Sequence, residues 1–250
     1  MSRAALLAAF AAVACSAPPA VDASLPATSV APATPTPAAA RAIGTSTPDV
    51  TAPHSRGFTG GVFRIGPFLE DRLVGRNWHP GCPVAIEDLR HVRVSYLDFR
   101  GRVRTGPLVV HEMVADDVLG VFERLFRARF PIHRIDLPRA YRPPRPSDRF
   151  STHDRTAAFN CRPATGSSGS LSHHSYGWAI DINPLQNPYV APDGSVLRRA
   201  AKPYVDRTRR EPGMIHAGDV VVRAFARIGW EWGGDWTTLK DYMHFSLTGR

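Results

Sequence analysis

Lysine is almost missing from this 250-residue chain: of its 31 basic residues only Lys202 and Lys240 are lysines, and the rest are arginines. With 22 acidic residues the formal charge is +9 at neutral pH. A basic balance of this size suits nucleic acid, an anionic membrane or an acidic polymer. The arginines form no single block, and no DNA- or RNA-binding signature accompanies them, so nucleic acid is set aside. Cysteine is scarce too, the three being Cys15, Cys82 and Cys161. Neither Cys82 nor Cys161 has a CxxC or HxxxH companion, which argues against a zinc site built on them. The apolar run at the N-terminus, residues 4–13, falls short of the roughly 20 residues needed for a membrane-spanning helix.

That short run is nevertheless informative. Arg3 precedes it and small residues lead from it into Cys15, the pattern of an export signal over residues 1–15. "AVAC" resembles a bacterial lipobox, in which the cysteine is lipidated and becomes the mature N-terminus. Ala12 stands where leucine is commoner, which leaves ordinary signal-peptidase cleavage as the alternative. Residues 16–56 are mostly Ala, Pro, Ser and Thr, and they cannot bury enough surface to offset the entropy of ordering. A disordered tether is expected there, with a reach of roughly 35 Å. The expected protein is thus exported and held at the cell envelope by an N-terminal lipid. In that compartment Cys82 and Cys161 are expected to form one disulfide.

Residues 57–250 have the composition of a folded domain. "HVRVSYLDF" alternates as a strand does, "RGR" reads as a turn, and "PLVVHEM" as the returning strand. "ADDVLGVFERLFRARF" spaces Val118, Val121, Phe122 and Leu125 as a helix does, with acids first and arginines last. "FPIHRIDL" is expected to be a strand, "WAIDI" a central strand, "GDVVVRAFARIGW" a second helix and "YMHFSL" a closing strand. The expected class is α+β, a mainly antiparallel sheet with flanking helices.

The chemistry gathers around "WAIDI". In a strand, Trp178, Ile180 and Ile182 face one way, while Ala179 and Asp181 face the other. A carboxylate in such a run needs a partner or a metal. His174 lies seven positions upstream, and a second histidine, His244, stands in the closing strand with Asp241 three residues before it. Two histidines and a carboxylate are a usual catalytic zinc set, and a further carboxylate supplies a general base for water. Asp241 and His244 in one regular strand would face opposite ways, so Asp241 is expected in a turn before it. His173 is expected to face solvent. Trp230, Trp232 and Trp236 suit a substrate groove or the core equally.

Ser172-x-His174-x-x-Gly177-x-Ala179-x-Asp181, followed by Asp241-x-x-His244-Phe245, resembles the zinc peptidases of the D-alanyl-D-alanine carboxypeptidase family. That family also contains D-Ala-D-Ala dipeptidases and L-alanyl-D-glutamate endopeptidases. The resemblance runs from "GCPV" to "DYMHF" and implies a hedgehog/DD-peptidase-like fold. It makes His174, Asp181 and His244 ligands of Zn2+ and Asp241 the general base. Arg162 becomes the arginine that stabilises the carbonyl oxygen, with Arg142 in "AYRPP" as competitor, and Ser172 a substrate-side residue. Many family members carry glutamate where this chain has Asp241. The implied activity is removal of terminal D-Ala from peptidoglycan stem peptides by a monomeric enzyme. The alternatives are cleavage between L-Ala and D-Glu, or a non-catalytic zinc-containing wall-binding module.

Overall fold

A computed structural model describes residues 57–140, 153–165 and 169–248. All of them fall in one compact unit, Thr51–Arg250. The expected signal, Cys15, the tether and Arg142 lie outside the described residues.

The N-terminal half of this unit runs β1 (Gly60–Arg64), α1 (Pro67–Leu73), β2 (Leu89–Leu97), β3 (Val103–His111) and α2 (Ala115–Arg127). β1, β2 and β3 form an antiparallel sheet in that order. The expected hairpin is present, shifted slightly toward the N-terminus in both strands. Asp98 closes it: its carboxylate accepts the backbone N–H groups of Arg100 and Arg102 and the side chains of Arg102 and Arg104. Gly101 supplies the positive φ that this reversal requires. Val92, Val94, Leu108 and Val110 leave one face of the sheet and bury themselves against Val118, Val121, Phe122 and Leu125 of α2. Asp116 and Asp117 sit in the first turn of α2, and Arg124 and Arg127 in its last, opposing the helix dipole. The sequence offered no sign of α1, a seven-residue helix with proline in its first turn.

The C-terminal half contributes β4 (Ala179–Asp181), β5 (Tyr189–Val190), α3 (Val220–Ala226), β6 (Glu231–Trp232), β7 (Lys240–Asp241) and β8 (His244–Ser246). Asp219 caps α3 by accepting the N–H groups of Val221 and Val222. Instead of one sheet, the described residues form three small ones, β1-β2-β3, β4-β8-β6 and β5-β7, with each of these strand pairs antiparallel. The class is α+β, as expected.

"FPIHRIDL" is not a strand. Pro131 bridges Leu97 and Ile135 bridges Thr156, each as a single contact. The segment passes from one partner to another and never meets a continuous ladder edge, and Pro131 has no N–H to give one.

Ile180 from β4, Ile182 just after it and Phe245 from β8 are fully buried in the core shared by α2 and α3, where Phe245 stacks on Phe225 at 4.2 Å. A second cluster collects Leu73, Leu89, Val109 and Phe159 beside Cys161. Cys82 and Cys161 form a disulfide with Cα atoms 5.9 Å apart. It closes a loop with a sequence separation of 79 residues, a constraint worth about 4 kcal/mol in the chain-entropy estimate. Non-reducing peptide mapping should recover the two cysteines in one linked fragment, and Cys161→Ser should lower unfolding stability by about that amount. Identical denaturation curves for the two proteins would remove the bond from the list of stabilising features.

Candidate metal centre

β4 and β8 pair so that Asp181 stands directly opposite His244. Residues opposed in an antiparallel pair project to the same face, so 63 residues of separation collapse to a side-chain contact. His244 Nδ1 lies 3.1 Å from Asp181 Oδ1. The other face of the same pair carries Ile180 and Phe245 into the core. The small residue beside the acid, Ala179, is fully buried, which leaves the carboxylate as the only long side chain that β4 sends to this face.

His174 arrives from a 3-10 turn, His173–Tyr176, that immediately precedes β4. Two residues shape the turn. The Ser172 hydroxyl caps its start, accepting the N–H of His174 at 3.4 Å. Gly177 ends it at φ 70° and ψ 22°, a left-handed conformation that glycine adopts without penalty. A Cβ at Gly177 would also sit 2.4 Å from the backbone nitrogen of His111, which donates to the Gly177 carbonyl. That glycine therefore docks the histidine turn on the end of β3. His174 Nδ1 lies 2.7 Å from the carbonyl of Ala158, to which it donates, and this leaves Nε2 with its lone pair aimed at Asp181 Oδ1, 3.2 Å away.

One ligand atom from each of His174, Asp181 and His244 lies within 4.8 Å of the others. Both histidines are buried, at 3% and 7% exposure, and Asp181 is half-buried. Burial opposes ionisation of Asp181, but its two histidine neighbours outweigh it and hold the carboxyl well below the usual range. Burial pushes His244 down, toward the neutral imidazole that a metal requires. His173 is half-buried, contacts Thr248 and stays outside the trio.

Asp241 ends β7, a strand of its own paired with Tyr189 of β5, and residues 242 and 243 turn the chain before β8. This resolves the facing problem much as expected, although a short strand rather than a turn holds the acid. Gly233 makes the position available: a Cβ there would meet the Asp241 carbonyl oxygen at 2.5 Å. Burial, and then the negative charge of Asp181, push the Asp241 carboxyl well above its usual range, with Arg162 partly offsetting them. Its Oδ1 is buried without a hydrogen-bond partner, and so is Nε2 of His174.

The convergent trio and the two orphaned polar atoms, His174 Nε2 and Asp241 Oδ1, are what a divalent cation would satisfy. The donor set matches zinc, and the Ala158 carbonyl behind His174 is the outer partner such a ligand needs.

A cavity of about 290 Å³ opens beside the trio, lined by His174, Asp181 and Arg162 among others. Arg162 is held through its backbone: its N–H donates to Ser175 Oγ, and its carbonyl accepts the N–H of Ser172. Its side chain donates to the Pro163 carbonyl at 3.0 Å. Trp236 packs against His244 at 5.5 Å, whereas Trp230 and Trp232 belong to the core. Ser175, Ala158 and the cavity residues Arg139, Arg155 and Arg198 carried no legible signal. They serve through backbone atoms or through tertiary position, and no spacing rule reports these.

Residues 165–247 match the family model described as D-alanyl-D-alanine carboxypeptidase, a span that contains His174, Asp181, Asp241 and His244. No curated protein and no solved structure matches the chain. Over residues 165–247 the chain is thus similar to the D-alanyl-D-alanine carboxypeptidase family.

Proposed function

We propose that this protein is a zinc-dependent peptidoglycan peptidase that removes the terminal D-alanine from stem peptides outside the cytoplasm. The observation that carries this reading is the buried, unpartnered Oδ1 of Asp241, an acid that interacts with Asp181 of the convergent trio His174, Asp181 and His244. A purely structural cluster would have no use for a second acid held so close to Asp181 at such electrostatic cost. The disulfide supports export, since such bonds persist in oxidising compartments. Anchoring through Cys15 belongs to the same proposal and fits an enzyme working close to a membrane.

His174, Asp181 and His244 would hold the zinc ion. Bound there, zinc supplies a Lewis acid that polarises a carbonyl and acidifies water. Asp241, made more basic by burial and by Asp181, takes the proton of the attacking water and passes it to the leaving amine. Arg162, on the cavity wall, donates to the carbonyl oxygen as it gains negative charge. The guanidinium offers two donors in a fixed fork, which a lysine ammonium reproduces poorly.

Digestion of purified muropeptides, followed by mass spectrometry, should release free D-alanine from pentapeptide stems. Products cut between L-Ala and D-Glu would reassign the bond while leaving the metal chemistry in place. Asp241→Asn should retain zinc by elemental analysis and lose on the order of 10²–10⁴ in turnover, whereas His244→Ala should lose the metal itself. Near-normal turnover by fully metallated Asp241→Asn would assign the base to another group. Arg162→Lys should cost about a hundredfold in kcat, and a smaller effect than that of Arg142→Lys would move the oxyanion role to the "AYRPP" loop.

A further inference from the structure

Only Tyr242 and Met243 stand between the acid Asp241 and the ligand His244. Met243 is tied to the residue after β4, its carbonyl accepting the Ile182 N–H at 2.9 Å. Tyr242 is held from three directions. Its N–H donates to the Pro188 carbonyl at 3.3 Å, and its own carbonyl accepts the indole N–H of Trp232 at 2.9 Å. The guanidinium of Arg207 lies over its ring, 4.4 Å from the centroid. Nothing in the hydrolytic steps uses Tyr242 or Arg207.

Arg207 is partly buried and heavily bonded. One terminal nitrogen donates to the carbonyls of Gln186 and Tyr204 at 2.9 and 2.8 Å. The other donates to Asn187 Oδ1 at 3.2 Å and to the Ile215 carbonyl. Burial works against the charge, and no hydrogen-bonded carboxylate offsets it. Asp219 acts on it only through space, its oxygens accepting the N–H groups of His216, Val221 and Val222. A cation kept under these conditions is compensated by carbonyl dipoles and by the face of an aromatic ring. Gln186 and Asn187 lead directly into Pro188 and Tyr189, which receive the Tyr242 N–H and pair with Asp241. Arg207 therefore grips both sides of the joint on which the acid is mounted.

Resting on the peptidase reading above, we infer that Arg207 is a positioning residue that acts through Tyr242 to hold Asp241 in register with the metal trio. Arg207 does not line the cavity, so its effect passes through the chain and not through substrate. Without it the Tyr242 ring and the Gln186–Asn187 stretch are released, and Asp241 shifts. His174, Asp181 and His244 stay in place, because β4, β8 and the core behind them hold those three. A misplacement on the order of 1 Å is enough to cost about a hundredfold in rate.

The test uses the full-length chain carrying Arg207→Met or Tyr242→Leu. The second variant removes the ring and leaves every Arg207 hydrogen bond in place. In both, zinc by elemental analysis should remain at the native level, and the visible spectrum of the cobalt-substituted protein should match the native one. On a D-alanyl-D-alanine-terminated peptide kcat should fall about tenfold to a hundredfold. KM should stay within about twofold of the native value, since binding groups are untouched. The double variant should be no worse than the poorer single one, because both remove the same contact. Native kcat per bound zinc in Tyr242→Leu would overturn the proposal, even if Arg207→Met fails to fold. Additive losses in the double variant would overturn it too, as would a fall in kcat that merely follows loss of zinc. A crystal structure of the Tyr242→Leu protein separates this role from the peptidase reading. If the native chain cuts nothing, yet Asp241 has shifted against an unmoved trio, the peptidase reading fails and the positioning role stands. An unshifted Asp241 removes the role whether or not the chain is a peptidase.

Discussion

The pairing of β4 with β8 in one register, Asp181 against His244, is the constraint on which the remaining structure turns. A slip by one residue would send Asp181 into the core and bring Ile180 or Ile182 to the cavity. The register is held from behind by Ile180, Ile182 and Phe245, all fully buried, with Phe245 stacked on Phe225 of α3. Hydrophobic packing on one face of a three-residue strand therefore sets the geometry of the metal ligands on the other. So short a strand could not hold this alignment alone. β6 on the far side of β8, and α2 and α3 beneath, supply the rest.

Around that pair, the other site residues are placed through backbone atoms. The Ala158 carbonyl orients His174, and the next turn of chain brings Cys161 into its disulfide and Arg162 to the cavity wall. Ser175 Oγ accepts the Arg162 N–H, and Asn160 N–H donates to the His174 carbonyl, so the arginine segment and the histidine turn are stitched together. Gly177 and Gly233 contribute by what they omit. A side chain at either would push away His111 or Asp241, respectively. The ligands, the base and the arginine thus share one rigid frame, as catalytic geometry demands.

Electrostatics explains why the frame must be so firm. Two carboxylates are brought close in a buried setting, one held ionised by histidines and the other driven toward protonation by burial and by its neighbour. Opposite them stands a wall of arginines. Part of the overall charge of +9 is gathered on this cavity, in Arg139, Arg155, Arg162 and Arg198.

By itself the sequence determined the class, the hairpin of β2 and β3, the helices α2 and α3, the resemblance to a peptidase family, and the residues His174, Asp181, Asp241, His244 and Arg162 as candidates. These rest on local patterning, or on side chains whose chemistry is out of place in an apolar run, and both are visible in one dimension. Tertiary structure alone decided that the strands form three small sheets, that "FPIHRIDL" runs between partners without joining a ladder, and that Ser172 spends its hydroxyl on the His174 turn. It also decided that Arg139, Arg155 and Arg198 gather beside the trio. The physical reason is the same in each case. Strand pairing, close backbone approach and cavity lining depend on which distant segments meet, and an arginine at the surface has the same local signature as one that faces a substrate.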